Sequence, residues 1–143
     1  PMADQAFVRT FEIQGGDFMN AGRASTSIKD TLKELGIAPA MVRRTAIASY
    51  EAEMNVVMYA RRATMTLRVT PARITIEVND EGPGIIDLAL AMQEGYSTAT
   101  PEMREMGFGA GMGLPNIRRN SDEFELHSDV GRGTDLSICV HIH

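Results

Sequence analysis

Four groups of residues in this chain carry donor, acceptor and backbone properties suited to chemistry. Glu51 and Asn55 are four positions apart in a segment that reads as helix, so they share one face. A carboxylate and an amide placed that way can take a proton from a hydroxyl and offer oxygen to Mg²⁺. On spacing alone, the simpler reading of the pair is a solvated polar stripe. Asp80-Glu81-Gly82-Pro83-Gly84 follows directly on an alternating strand pattern. The Asp80 carboxylate only accepts hydrogen bonds, which suits it to an exocyclic amino group such as that of adenine. Gly82 and Gly84 allow sharp turning and close approach of a flat ligand, although a plain strand-to-helix turn favours the same residue types. The run Gly107-Phe108-Gly109-Ala110-Gly111-Met112-Gly113 puts glycine at every second position and leads into a helix near Leu114-Pro115. Such a run lets backbone amides converge on phosphate oxygens ahead of a helix N-terminus. It fits neither the Rossmann fingerprint nor the lysine-containing phosphate loop, and Phe and Met are unusual in a flexible linker. Gly131-Arg132-Gly133-Thr134 reads as a hairpin turn, with Thr134 either a strand former or a polar contact in a pocket.

The elements needed to hold these groups are legible in the hydrophobic pattern. Phe7 to Gln14 reads as a strand, broken by Gly15-Gly16-Asp17. A helix is expected from about Asn20 to Leu35, stopped by Gly36, and a long one from about Ala40 to Arg62 with Ile47, Met54 and Met58 on its apolar side. Glu53 falls on a different face from Glu51 and is expected to be solvated. Met65, Leu67, Val69 and Ile74, Ile76, Val78 alternate with polar residues around Thr70-Pro71-Ala72, which predicts an antiparallel hairpin. Phe124, Leu126 and Leu136, Ile138, Val140, Ile142 repeat that pattern around Gly131-Arg132-Gly133. A short helix is expected near Asp87 to Glu94 and another from about Leu114 to Asn120. Alternation on this scale gives a sheet with one apolar face, which the helices must cover. The predicted fold is a two-layer α/β sandwich (α+β) with a mixed, mainly antiparallel sheet.

Composition limits the function classes. The chain has 143 residues, 43% hydrophobic and 23% charged, as expected of one compact soluble domain. Its net charge of −5 and its lack of a long basic run argue against a nucleic-acid partner. No apolar run approaches a membrane span and the start does not read as a signal peptide, which makes the cytoplasm the expected location. The single Cys139 excludes an internal disulfide and a multi-cysteine zinc site. Cys139, His141 and His143 would share a strand face, but successive members lie about 6.5–7 Å apart, too wide for one zinc ion. They, like His127, are expected to be exposed strand residues, and the ten Met residues to be core fillers.

In this order, the four groups resemble the motifs of the Bergerat-fold ATP-binding proteins, the relatives of gyrase, Hsp90, histidine kinases and MutL. Glu51…Asn55 resembles the N box, Asp80-x-Gly82-x-Gly84 the first glycine box, Gly107 to Gly113 the second, and Gly131 to Thr134 the last motif. The match runs from about Ser49 to Thr134. Within that superfamily the chain resembles the bacterial anti-sigma-factor serine kinases and stressosome switch kinases, with Gly109 to Pro115 and Asp122-Glu123-Phe124 nearer the switch-kinase branch. The resemblance implies ATP and Mg²⁺ as cofactors. It implies Asn55 as the Mg²⁺ ligand, Glu51 as general base, and Asp80 as the adenine reader. Gly82 and Gly84 would line the base, supported by Thr134. Gly107, Gly109, Gly111, Met112, Gly113 and Leu114 would form the phosphate segment. Arg104 resembles a lid arginine, at a spacing from the glycines that differs from the family pattern because Met106-Gly107-Phe108 intervenes. The implied activity is phosphorylation of a serine or threonine on a STAS-domain, anti-anti-sigma-like partner. The alternative is an ATP-gated module that binds a partner without phosphorylating it. A sigma factor or phosphatase as further partner, and a homodimer, stay open.

Overall fold

The computed structural model describes residues 6–84, 92 and 113–143. Strands β1 (Phe7–Gln14), β2 (Arg62–Val69), β3 (Arg73–Glu81), β4 (Glu123–Asp129) and β5 (Gly133–His141) form one sheet in the order β1-β2-β3-β5-β4. Helices α1 (Arg23–Glu34), α2 (Pro39–Tyr59) and α3 (Gly113–Arg119) form the second layer. Every hydrogen-bonded neighbour pair is antiparallel. A mixed, mainly antiparallel sheet was the expectation; among the described residues the pairing is antiparallel throughout, for a topological reason. β3 and β4 run the same way, but β5 lies between them, so the two parallel strands never touch.

Both hairpins have the expected register. Met65 faces Val78 across the first, and Leu126 faces Leu136 across the second. β3 continues two residues beyond the alternating pattern, so Asp80 pairs with Ala63 inside the strand rather than beyond it. Met65, Leu67, Ile74, Ile76, Val78, Ile138 and Val140 turn inward and are buried. α1 answers them with Ile28 and Leu32, one helical turn apart, and ends where Gly36 takes a left-handed φ of +78°. Among the described residues no helix is long and apolar enough to cross a membrane.

α2 lies between the sheet, α1 and α3, and is buried on most of its circumference. Ala48, Ser49 and Ala52 are small enough to let the neighbouring helices approach closely. Three expectations fail here. Ile47 is exposed (38%), because the apolar face of α2 runs through Val42, Ala52, Val56 and Val57 instead. Glu53 is 2% exposed rather than solvated. Its carboxylate accepts hydrogen bonds from the backbone N–H groups of Gly22 (2.9 Å), Ala24 (3.3 Å) and Ser25 (2.9 Å). These are the free amides at the start of α1, whose N-cap position is a glycine with no side chain to serve them. Met19 is 95% exposed, so not every methionine fills the core.

On the sheet face away from the helices, Cys139 is buried, not exposed as its alternation suggested. Burial pushes its thiol upward, and hydrogen bonding with Glu123 adds to that. Glu123 stands directly opposite Cys139 across the β4–β5 pair. The ligand atoms of Glu123, Cys139 and His141 therefore lie within 4.8 Å of one another. The trio is satisfied without an ion: His141 Nε2 and Glu123 Oε2 are 2.7 Å apart, and Arg73 Nη1 lies 3.7 Å from the same oxygen. Asp122 joins the layers, pairing with Arg44 of α2 at 3.1 Å and accepting from the His141 backbone N–H at 2.7 Å. Those contacts hold its carboxyl below the usual range.

Candidate functional site

Two clusters lie along the second half of α2. The first is on its surface facing α3. Glu51 and Asn55 are brought together there, as the four-residue spacing requires, and the first residue of α3 sits over both. A Cβ on Gly113 would stand 3.1 Å from Asn55 Oδ1 and 3.5 Å from Glu51 Oε2. Both side chains are half-buried rather than a solvated stripe. Burial pushes the Glu51 carboxyl upward, and a hydrogen bond with the Asn116 side chain opposes that rise. Buried Pro115 and Ile117 anchor α3 on either side of Asn116 in sequence.

The second cluster forms where α2 ends against β3. The Thr134 backbone N–H donates to Asp80 Oδ1 at 2.9 Å, and Thr134 Oγ1 is 2.9 Å from Ser128 Oγ. The turn before β5 packs onto the glycines after β3: Gly82 N–H donates to Arg132 O (3.1 Å) and Gly131 N–H to Pro83 O (2.8 Å). Two positions there admit glycine alone. Gly133 has φ +150°, and a Cβ on it would lie 2.1 Å from the Asp80 carbonyl oxygen. Gly84 has φ +76°, with Asp129 O 2.5 Å from where its Cβ would be. The hairpin explanation for Gly133 was therefore incomplete, since the residue is also required by its contact with Asp80. Burial pushes the Asp80 carboxyl upward, the Thr134 amide opposes this, and the nearby Asp135 charge adds to it.

The oxygen atoms of Glu51 and Asn55 in the first cluster are hard donors of the kind that suit Mg²⁺. In the second, glycine backbone packs closely on the strand that carries the Asp80 carboxylate, at contacts that a Cβ on Gly133 or Gly84 would break. The Asp80 carboxylate, when ionised, only accepts hydrogen bonds and so suits an amino-bearing ring. The residues present thus fit a magnesium nucleotide. Leu114 is half-buried in the first turn of α3. Arg104, Gly107, Gly109, Gly111 and Met112, together with the short helix expected near Asp87 to Glu94, lie outside the described residues.

Sequence reasoning missed two residues. Asn116 reads as one more polar residue on a short helix, and only its spacing of three from Gly113 marks it as sharing that residue's face. Glu53 gave no signal at all, because the amides it serves are about thirty residues away in the chain.

Comparison with known proteins places the chain among relatives. The histidine kinase-like ATPase domain family matches residues 19–140. The serine/threonine-protein kinase RsbT of Bacillus subtilis (strain 168) is 32% identical over 112 residues, covering 76% of this chain and 78% of that protein. An anti-sigma F factor of Caldanaerobacter subterraneus subsp. tengcongensis is 38% identical over 104 residues, covering 69% of this chain and 68% of its own length. One from Thermoanaerobacter sp. (strain X514) is 36% identical over 101 residues, covering 71% and 63%. Among solved structures, the RsbU and RsbW domains of a Mycobacterium tuberculosis protein superpose with a TM-score of 0.60 at 12% identity. That alignment takes in 94% of this chain but about a third (32%) of the other, so the likeness is of fold. With the two-layer fold, these matches show that the chain belongs to the histidine kinase-like ATPase family, with a serine/threonine-protein kinase and anti-sigma F factors among its relatives.

Proposed function

We propose that this protein is an ATP- and Mg²⁺-dependent serine/threonine kinase whose substrate is a small STAS-domain regulator of the anti-anti-sigma type. The observation that carries the reading is the meeting of Glu51 and Asn55 under Gly113. It brings a candidate base, a candidate metal ligand and the end of the glycine run to one place. In this reading Asp80 accepts the adenine amino group beside Gly82 and Gly84, and the Thr134 backbone N–H orients Asp80. Asn55 offers its amide oxygen to Mg²⁺. Gly107, Gly109, Gly111, Met112, Gly113 and Leu114 line the phosphates, and Arg104 faces the transferring group. When bound, the magnesium nucleotide supplies the phosphoryl group and neutralises its charge.

Glu51 would take the proton of the substrate hydroxyl as that oxygen bonds the γ-phosphorus and the bridging P–O bond breaks, its electron pair leaving with ADP. A carboxylate raised toward neutral pH by burial is better matched to this task than an ordinary surface glutamate. Incubation with labelled ATP and a cognate STAS protein should label the partner. Loss of label with Glu51→Ala, at unchanged nucleotide affinity, is the expected outcome. Equal labelling by that variant would refute the assignment of the base.

A second reading is favoured by the relatives named anti-sigma F factor: a nucleotide-gated module that holds its partner without modifying it. Partner binding that needs ATP but survives Glu51→Ala, with no label transferred by the wild type, would select it.

A further inference from the structure

We propose that Glu123, Cys139 and His141 form a binding site for Zn²⁺ on the sheet face away from the helices, one that ties β4 to β5. The site shares no residue with the two clusters along α2, so it stands whatever those clusters hold. Its origin is register. Cys139 and His141 are two apart on β5 and point to one face, while Glu123 of β4 stands directly opposite Cys139. A carboxylate from the neighbouring strand thus supplies the third ligand that β5 alone is too extended to provide. One sulfur, one nitrogen and one oxygen lie within 4.8 Å of one another. The backbone holds them there: Asp122 N–H donates to Cys139 O at 2.8 Å, and Asp122 Oδ2 accepts from His141 N–H at 2.7 Å. Among the described residues no other three His, Cys, Asp or Glu side chains converge in this way.

The donor set selects the metal. Thiolate, imidazole and carboxylate together suit zinc, whereas Mg²⁺ and Ca²⁺ take oxygen alone. Three protein ligands leave the fourth tetrahedral position to water. Zinc bonds of about 2.0–2.3 Å set neighbouring ligand atoms about 3.3–3.6 Å apart. His141 Nε2 and Glu123 Oε2, at 2.7 Å, must open slightly, and any pair near the 4.8 Å limit must close by about 1 Å. Both side chains are about half exposed (43% and 54%), which leaves them room to turn and gives the ion a way in. Cys139 is 6% exposed, so its sulfur forms the dry side of the site. Coordination exchanges protons for metal. The Cys139 thiol releases its proton to solvent, and His141 keeps one proton, on Nδ1, while its Nε2 lone pair binds the ion. The hydrogen bond that otherwise satisfies His141 and Glu123 gives way to two coordinate bonds. Thiolate and carboxylate bring two negative charges to a divalent cation. The opposing charge is Arg73, whose Nη1 lies 3.7 Å from Glu123 Oε2 and can keep a carboxylate lone pair that zinc does not use.

The test is a titration of Co²⁺, then Zn²⁺, into the reduced, chelator-treated full chain with Mg²⁺ in excess. Cys139 is the chain's one cysteine, so a thiolate-to-cobalt charge-transfer band reports this site alone. One equivalent of Co²⁺ should raise that band together with the strong visible absorption of a tetrahedral ion, and Zn²⁺ should remove both. Zn²⁺ at a hundred times its Kd should raise Tm by about 5–10 °C. Cys139→Ser should abolish the band. His141→Ala and Glu123→Gln should each weaken zinc at least roughly 100-fold, since even an outer-shell partner is worth about 10–100-fold. His127→Ala, further along β4, should leave zinc binding as it is. A wild-type chain with no charge-transfer band, or with one that saturates only at millimolar Co²⁺, would overturn the proposal. So would full zinc affinity in His141→Ala and Glu123→Gln variants that circular dichroism shows to be folded. The wild-type spectrum needs no substitution, so it decides the matter even if a variant fails to fold.

Discussion

Replacing Glu53 with alanine should cost more stability than any other single polar substitution in the described chain. The Glu53 side chain is 2% exposed and accepts from three backbone amides, two at 2.9 Å and one at 3.3 Å. A hydrogen bond to a charged group contributes about 1.5–3 kcal/mol, and the negative charge also sits favourably at the positive end of α1. The three bonds share one carboxylate and are not additive. The expected loss is therefore about 3–5 kcal/mol, similar to breaking one side of a buried charged pair. Against a total of about 5–15 kcal/mol this is a large fraction. For a chain of this size it corresponds to a fall in Tm of roughly 10–15 °C. Glu53→Gln should fall between the variants, because one amide oxygen still accepts while the –NH₂ faces other donors. Urea unfolding at 25 °C measures the cost, and amide exchange at Gly22, Ala24 and Ser25 locates it. Those three amides should lose protection before the amides of β2 and β3 do. A Glu53→Ala variant that loses under 1 kcal/mol at unchanged m, with the three amides still protected, would refute the view that this carboxylate caps α1.

Other substitutions probe the two clusters. Gly133→Ala should destabilise by about 3 kcal/mol or more and abolish nucleotide binding, since its Cβ would meet the Asp80 carbonyl oxygen at 2.1 Å; thermal melts and a fluorescent ATP analogue report both losses. Asp80→Asn should keep the fold and weaken ATP binding by about a hundredfold or more, because the amide can donate toward the amino group it should receive; calorimetric titration with ATP and GTP checks this, and equal weakening for both nucleotides would argue against adenine reading. Glu51 and Asp80 both have carboxyls raised above their ordinary values, with burial the first cause. Between the unfolded and folded values the native state holds more protons than the unfolded one, so stability falls as pH rises through that window and is fully present below the unfolded values. Glu51→Gln should accordingly raise Tm at neutral pH and flatten its pH dependence, as melts from pH 4 to 8 would show.

Much of this was legible in sequence wherever the physics is local. The alternation of Met65, Leu67, Val69 with Ile74, Ile76, Val78 announces a hairpin because side-chain direction has a period of two. Glu51 and Asn55 share a face because of helix geometry alone. What failed was non-local. Glu53 looks like any helix-surface carboxylate, and its burial depends on α1 crossing α2 just where Gly22 leaves amides unserved. Cys139 lies on the polar face by alternation, and it is buried because Glu123 arrives opposite it from another strand. Alternation announces strands and a buried face but not strand order, which decides which neighbours meet. Gly133 was read as turn chemistry, while its close approach to Asp80 across 53 residues has no local signature.

The strand order also has a consequence for how the chain comes together. β5 is the last of the described strands in sequence, yet it lies inside the sheet, between β3 and β4. Until residues 133–141 have left the ribosome, β3 keeps one bare hydrogen-bonding edge and β4 has no partner at all. An unpaired edge of alternating Ile74, Ile76 and Val78 is a template for wrong pairing. Assembly must therefore wait for the final strand, and closure between β3 and β4 joins residues more than fifty positions apart, a slow kind of contact to form. The same event delivers Gly133 and Thr134 to Asp80, so the cluster around that carboxylate and the completed sheet arise in a single step.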